Sequence, residues 1–409
     1  MKDSNGIVIT GMGVLSPLGV GVETYWNALI HGDCGVRRVK QFPVDNELFL
    51  CKIAAEVPDF GAESKNESES LPGRFPLLAR NATSMAIESA KLQDGDLEHA
   101  DLYLGSAQEN TDTMEALLQP WVKGHLSQLK PETFSAIDPY AAATKISGIF
   151  GIKGRTVGIT TSCTSGILAL LLCIERIQLG EIKIGMVVGA DIISPIPFLG
   201  EGLTGELAKR NDDPAHASRP FDSDQDGYVI GEGAVALVVE TEHHARERER
   251  YIHARLGPFA ATTDATSFKY VDESGTQMAR CMAMVLNQIP DERIDYISAH
   301  APSIVALDKA ESVAIRKAFA KRADSIPVTS LKGAIGNPSA AGGLLQVVAA
   351  VLSCRDKIIP PTLNLQNPLP GCDLDYVANK SRRQDVNTVF VSAHGGGGLN
   401  ASLMVQGYA

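Results

Sequence analysis

The chain has 409 residues, 44% of them hydrophobic and 6% aromatic, with a formal net charge of −11. That is enough apolar material for a well-buried core, and by length for two or three domain-sized units. The acidic balance argues against an extended nucleic-acid surface, and no run reaches the ~18 apolar residues of a membrane span.

Seven cysteines (34, 51, 163, 173, 281, 354 and 372) form an odd set with no CxxC spacing. They read as reduced thiols of a cytoplasmic protein, neither a disulfide framework nor a metal site. The start, MKDSNGIVIT, has no long apolar stretch and does not read as a secretory leader.

Short Val/Ile-rich runs alternate with longer helical patterns. The first run, GIVITGMG (6–13), reads as a strand, and 22–31 as a helix. GMGVLSPLG resembles a dinucleotide-binding turn, but Ser16 holds the third glycine place and Pro17 follows, so no phosphate cradle is made. The polar, Gly- and Pro-containing stretch 59–75 reads as a surface loop, and 78–93 as a helix.

GITTSCTSGILALLLCIERIQLG (158–180) sets a Thr/Ser-rich turn against an apolar helix over 164–179. Cys173 lies inside the apolar run, where a packing cysteine belongs. Cys163 instead sits where the first free backbone N–H groups of the helix point. A helix start favours an anion by roughly 0.3–1 kcal/mol, so a thiolate nucleophile suits that place.

IGMVVGAD (184–191) and GAVALVVE (233–240) read as strands, with 208–228 between them as a surface loop. DSDQDGYVIGEG opens like a calcium loop with Asp222, Asp224, Asp226 and Gly227. Its twelfth position is Gly233, though, with Glu232 one residue early, so a hydrogen-bonded turn is expected. EHHARERERYIH (242–253) reads as a solvated helix face with paired charges.

DYISAHAP (295–302) is a strand pattern ending at His300, and strand ends are where open α/β sheets present functional groups. A helix pattern covers 305–321. IPVTSLKG (326–333) leads to Lys332 and then to Asn337, which at a glycine-rich helix start could be only an N-cap. A helix over 340–353 and a strand TVFVSAHGGGG (388–398) follow. The glycines of HGGGGLN (394–400) let backbone approach a ligand closely.

Continuous apolar strands of this kind suit an α/β layered fold. Two internal echoes suggest similar halves. SGILALLL (165–172) matches AGGLLQVV (341–348), and DYISAHAP matches VFVSAHGG.

These residues carry a family likeness. IVITGMGVLSPLGVGVETYWNALIHGDCGV, TTSCTSG, SRPFDSDQDGYVIGEGAVALVVE, HAPSIVALDKAE with Asp308 and Glu311, and LKGAIGNPSAAGG together resemble the β-ketoacyl-ACP synthases of the thiolase superfamily, elongating branch, over nearly the whole chain. The resemblance implies an α/β fold of five α-β-α-β-α layers made of two duplicated halves, divided as 1–245 and 246–409, and a two-fold dimer. It implies decarboxylating Claisen condensation of an acyl thioester with malonyl-ACP. Cys163 would be the nucleophile, and His300 and Asn337 hydrogen-bond donors. Lys332 would pair with Glu311, and the backbone N–H groups of Cys163 and Gly396 would form an oxyanion hole. The chain itself would hold no cofactor or metal; phosphopantetheine arrives on the acyl carrier protein, for which Lys209 and Arg210 are candidate contacts.

The departures are specific. Asn337 stands where the elongating family has a second histidine, as in the Cys-His-Asn sites of chain-initiating synthases. Pro302 and Ile304 replace threonines that contact the phosphopantetheine arm. Gly396 and His394 replace two phenylalanines of the gate, and Gln108 is polar where the acyl pocket is apolar; these three would shape the substrate pocket. Two other roles implied by such departures are a chain-length-determining partner in a heterodimer and a non-condensing acyltransferase.

Overall fold

The computed structural model describes residues 6–60, 73–108, 111–125, 127, 137–138, 140–266 and 271–408. Most of the stretch expected as a surface loop over 59–75 lies outside them. Ten strands fall into two sets. The first holds β1 (Ile7–Ser16), β2 (Asp101–Gly105), β3 (Thr156–Ile159), β4 (Ile184–Asp191) and β5 (Gly233–Thr241). The second holds β6 (Ala254–Thr263), β7 (Tyr296–Ser298), β8 (Val328–Thr329), β9 (Thr388–His394) and β10 (Leu399–Gly407).

The order is β8-β7-β9-β10-β6-β1-β5-β4-β2-β3, with Gly19–Val20 folded back on β1. Read outward from the β1–β6 junction, each set runs first, fifth, fourth, second, third. In both sets the two inner pairings are antiparallel and the two outer ones parallel. The junction itself is short, Ile7–Ile9 against Ala254–Leu256. Two halves of one topology are therefore written into the pairing.

Helices fill equivalent places in the two halves. α1 (Val22–His31) follows β1, and α2 (Arg74–Ala90) and α3 (Ala141–Phe150) flank β2. α4 (Ser165–Gln178) follows β3. α5 (Thr276–Leu286) and α6 (Val305–Phe319) flank β7, and α7 (Ser339–Asp356) follows β8.

α4 and α7 lie between the two sets. Ile167 and Leu170 of one and Leu344 and Val348 of the other share a buried cluster with Val187, Val235, Val391 and Leu403. α2 covers the outer face of the first set, with Leu78, Ala82 and Ala86 against Leu102, Met186 and Val238. α5 and α6 cover the second, with Met282 and Ile315 against Ile297 and Phe390. The result is five layers, α-β-α-β-α. β4 shows why its sequence runs apolar without alternation: Met186 and Val188 face the outer cluster and Val187 the central one. α7 is enclosed on all sides, since every residue from Ala340 to Cys354 is buried.

Close packing accounts for the first glycine motif. A Cβ on Gly11 would stand 2.4 Å from the Ala86 carbonyl oxygen and one on Gly13 2.0 Å from that of Ala82. The glycines let α2 lie directly on β1.

Three expectations change. The 208–228 segment is a surface loop in its first part, where Lys209, Asp212, Asp213 and His216 are exposed, but 217–222 are buried, and the Phe221 ring stacks on Tyr376 at 4.2 Å. Its polar residues bond inward, with Asp222 accepting from Arg219 Nε and from the backbone N–H groups of Asp224, Gln366 and Asn367. Of 242–253, only Glu242–Glu247 is helical, and Glu240 draws in His244 and Arg248 rather than leaving them solvated. The two Ser-Ala-His runs do not mark the duplication. They belong to β7 and β9, neighbours in one half, paired in parallel at Tyr296–Val389 and Ser298–Val391. The SGILALLL/AGGLLQVV echo is the duplication, because it starts α4 and α7.

Candidate active site

The residues singled out in the sequence gather where the parallel strands end. Cys163 lies in the turn from β3 to α4, and His300 lies just past β7. Lys332 and Asn337 lie in the connection from β8 to α7, and His394 is the last residue of β9. This is the edge at which open parallel sheets present chemistry.

The turn before α4 is specially built. Ser162 has φ 56°, a left-handed conformation uncommon outside glycine. It is held by Ser165, whose backbone N–H donates to the Ser162 carbonyl at 3.0 Å and whose Oγ donates to it at 2.6 Å. Thr161 N–H in turn donates to Ser165 Oγ at 2.8 Å. Cys163 is thereby presented half-buried ahead of the helix. Gly166 lets the two central helices meet, since a Cβ there would lie 2.1 Å from the Ala340 carbonyl oxygen.

That crossing brings the equivalent turns of the two halves together. Asn337 Nδ2 donates to Cys163 Sγ at 3.5 Å. Asn337 does not cap α7: the helix starts at Ser339 with Pro338 before it and no side-chain capping bond. Its backbone is fixed by Val229 and Gly231, while Oδ1 is buried without a partner.

His300 is 2% exposed. Burial above all, then the nearby Lys332 and His394, hold its imidazole well below the usual range, so it is a neutral group at physiological pH. The loop after it has positive φ at Ala301 (21°) and Ser303 (78°). Two buried carboxylates hold that loop. Glu311 accepts the N–H groups of His300 at 2.9 Å and Ala301 at 2.8 Å. Asp308 accepts those of Phe221 (2.8 Å), Ser303 (3.3 Å) and Ile304 (3.4 Å), and burial pushes its pKa up to about 7.

The expected Lys332–Glu311 ion pair is not made. Glu311 is occupied by the two backbone amides and by His394 Nε2 at 3.2 Å. Lys332 Nζ is buried with no hydrogen-bond partner, and burial brings its pKa down to about 8. It occupies the space that a side chain on Gly342 would fill, 2.5 Å from an ideal Cβ there.

His394 was expected on the pocket wall. It lies instead behind His300, 2% exposed, with its ring nitrogens facing Ser392, Glu311 and Asn400. Gly396 lies in the turn after β9, between Gly395, which abuts Thr164, and Gly397 at φ 83°. Gln108 is partly buried at the end of the β2 connection, its N–H bound to Asp191 at 2.9 Å. Lys209 is exposed, and Arg210 reaches the Asp224 carbonyl at 3.5 Å.

Asp191 was missed. It accepts from Ser106 Oγ (2.8 Å), from the N–H groups of Ala107 and Gln108 (2.9 Å each) and from Ala340 N–H at 2.7 Å, tying the β2 connection to the start of α7. Burial raises its pKa to about 6. An Asp closing an apolar strand was the only sequence signal for it.

The family pattern described as "Beta-ketoacyl synthase, N-terminal domain" matches residues 4–245, and "Beta-ketoacyl synthase, C-terminal domain" matches 253–366. A 3-oxoacyl-[acyl-carrier-protein] synthase 2 of Coxiella burnetii is 33% identical, covering 98% of both chains. The tetracenomycin polyketide synthase ketoacyl synthase alpha subunit of Streptomyces glaucescens is 31% identical over 98% of this chain and 96% of its own. Among solved structures, a type II polyketide ketosynthase in complex with its acyl-carrier protein, bound to a hexaketide, superposes with a TM-score of 0.90. Its identity is 29%, and 98% of this chain and 99% of that one are covered. Among the described residues, no helix is long and apolar enough to cross a membrane.

Proposed function

This chain belongs to the β-ketoacyl synthase family, and we propose that Cys163, His300, Asn337 and Lys332 are the groups with which it carries out decarboxylating condensation. Cys163 sulfur attacks the thioester carbonyl of an acyl carrier protein. The acyl group moves to Cys163, and the phosphopantetheine thiol leaves on the carrier. Malonyl carrier protein then binds and loses carbon dioxide, and the resulting enolate attacks the acyl-Cys163 carbonyl. A carbon–carbon bond forms, the bond to Cys163 breaks, and the β-ketoacyl chain departs on the carrier.

Decarboxylation makes the carbanion without removal of a C–H proton, so the site must supply donors to the thioester oxygen as it gains charge. A neutral His300 and a neutral Asn337 amide serve that need. Lys332 adds a positive charge at a buried position, where it acts over a longer distance than in water. The backbone N–H groups of Cys163 and Gly396 take the acyl oxygen, and Gln108 and Gly396 line the chain's channel. Lys209 and Arg210 meet the acidic carrier. The carrying observation is the Asn337 amide 3.5 Å from the Cys163 sulfur, which puts a donor from one half on the nucleophile of the other. The test is incubation with acyl carrier protein and then malonyl carrier protein, following the mass of Cys163 and the release of carbon dioxide.

A further inference from the structure

We propose that His394 is a positioning residue for His300, acting through Glu311; the inference rests on the reading of His300 as an active-site donor. His394 closes β9, and its ring stands nearly perpendicular to that of His300, with centroids 5.9 Å apart. Its Nδ1 faces Asn400 Oδ1 at 2.9 Å. The orientation of that amide is set on its other side, where Asn400 Nδ2 donates to Asp264 Oδ1 at 2.7 Å and to the Gly398 carbonyl at 3.3 Å. Oδ1 is therefore an acceptor, and His394 Nδ1 carries the hydrogen.

The other ring nitrogen, Nε2, faces Glu311 Oε1 at 3.2 Å and Ser392 Oγ at 3.0 Å. The same Oε1 accepts the His300 N–H. A carboxylate with no exposure keeps its charge only where donors surround it. For Nε2 to give a hydrogen to Glu311 while Nδ1 gives one to Asn400 the ring must carry both, so His394 meets Glu311 as an imidazolium paired with the carboxylate, beside the two backbone donors. Glu311 in turn fixes the backbone of His300 and of Ala301, at the head of a loop held in strained φ values that persist only when the surroundings impose them.

The chain Asp264–Asn400–His394–Glu311–His300 thus joins the ends of β6, β10, β9 and β7 through α6. Asp264 N–H also donates to the Gly398 carbonyl at 2.9 Å, so the glycine turn and the His300 loop share one support. The charged and titratable groups around the ring are Glu311 from α6, Asp264 through Asn400, His300 past β7, and Lys332 beyond it.

The test compares His394→Leu with His394→Gln, whose amide N–H can still reach Glu311. Two readouts are taken, hydrogen exchange of the peptide spanning 299–304 and turnover per folded protein across pH. In His394→Leu, exchange in that peptide should quicken and kcat should fall at least about tenfold with KM little changed, while Cys163 acylation persists. The acid limb should move to higher pH, because a group that holds His300 neutral is gone. His394→Gln should restore exchange protection and most of kcat. Should His394→Leu not fold, His394→Phe fills the space without ring nitrogens and gives the same readings. Wild-type exchange and kcat in the Leu or Phe variant would overturn the inference. A wild type that never condenses overturns the functional reading instead, and the exchange comparison still judges the relay.

Discussion

Asn337 and Cys163 occupy equivalent turns of the two halves, each just ahead of a central helix, and the amide of one lies 3.5 Å from the sulfur of the other. In the proposed mechanism the duplicated fold therefore supplies the nucleophile from its first half and a neutral donor from its second. Removing one oxyanion donor costs about 10²–10³ in rate. Asn337→Ala should lose that much in condensation while still acylating Cys163 and melting near the wild-type temperature, since it caps no helix. Asn337→His restores a donor and should recover part of the rate. Single-turnover condensation kinetics on both variants provide the check.

Lys332 carries a pH signature. Its folded pKa of about 8 lies below the ordinary lysine value of 10.5, so between those pH values the unfolded chain binds more protons than the folded one. Burying it therefore costs stability at neutral pH, by about 3 kcal/mol. That cost fades as pH rises from about 8 towards 10.5. Lys332→Met should melt higher than wild type at pH 7 and converge with it near pH 10, while condensing poorly. A Met variant less stable than wild type at pH 7 would contradict this account of the buried ammonium.

Gly342 leaves room for that ammonium. A Cβ there would fall 2.5 Å from Lys332 Nζ, the movable end of a long side chain, so the fold should tolerate it. Gly342→Ala should keep its melting temperature, helped by about 0.5–1 kcal/mol of helix preference, and lose activity as Lys332 is displaced. Unchanged kcat would show that the position of Lys332 does not matter.

Asp191 joins four donors from two segments. Asp191→Ala leaves them buried and unpaired, at about 1–3 kcal/mol for each donor left unsatisfied. Chemical denaturation should show a loss of several kcal/mol.

The uneven legibility of the site follows from where each signal resides. Cys163, His300, Lys332 and Asn337 could be found because their marks are local: a polar turn against an apolar helix, or a buried strand that ends. Glu311 was found, but its partner was misjudged. The charge pairing with Lys332 looked natural in sequence, while the actual donors are two backbone amides and a histidine 83 positions along the chain, a distance no local pattern records. Asp191 and Ala340 are likewise 149 apart. β6 was hidden because ARLGPFAATT carries a Gly and a Pro, and β2 because five residues are too few to show a period. The 208–228 loop was misplaced in part for the opposite reason, the polar residues of 217–222 standing for interior hydrogen bonds rather than for solvent.

The most direct test of the account is intact-protein mass spectrometry of the wild type and Cys163→Ala, first with acyl carrier protein and then with malonyl carrier protein. The wild type should gain one acyl mass, Cys163→Ala none, and the acyl mass should disappear on malonyl addition as carbon dioxide is released. Acylation that survives in Cys163→Ala, or an acylated wild type that never releases carbon dioxide from malonyl carrier protein, would contradict it.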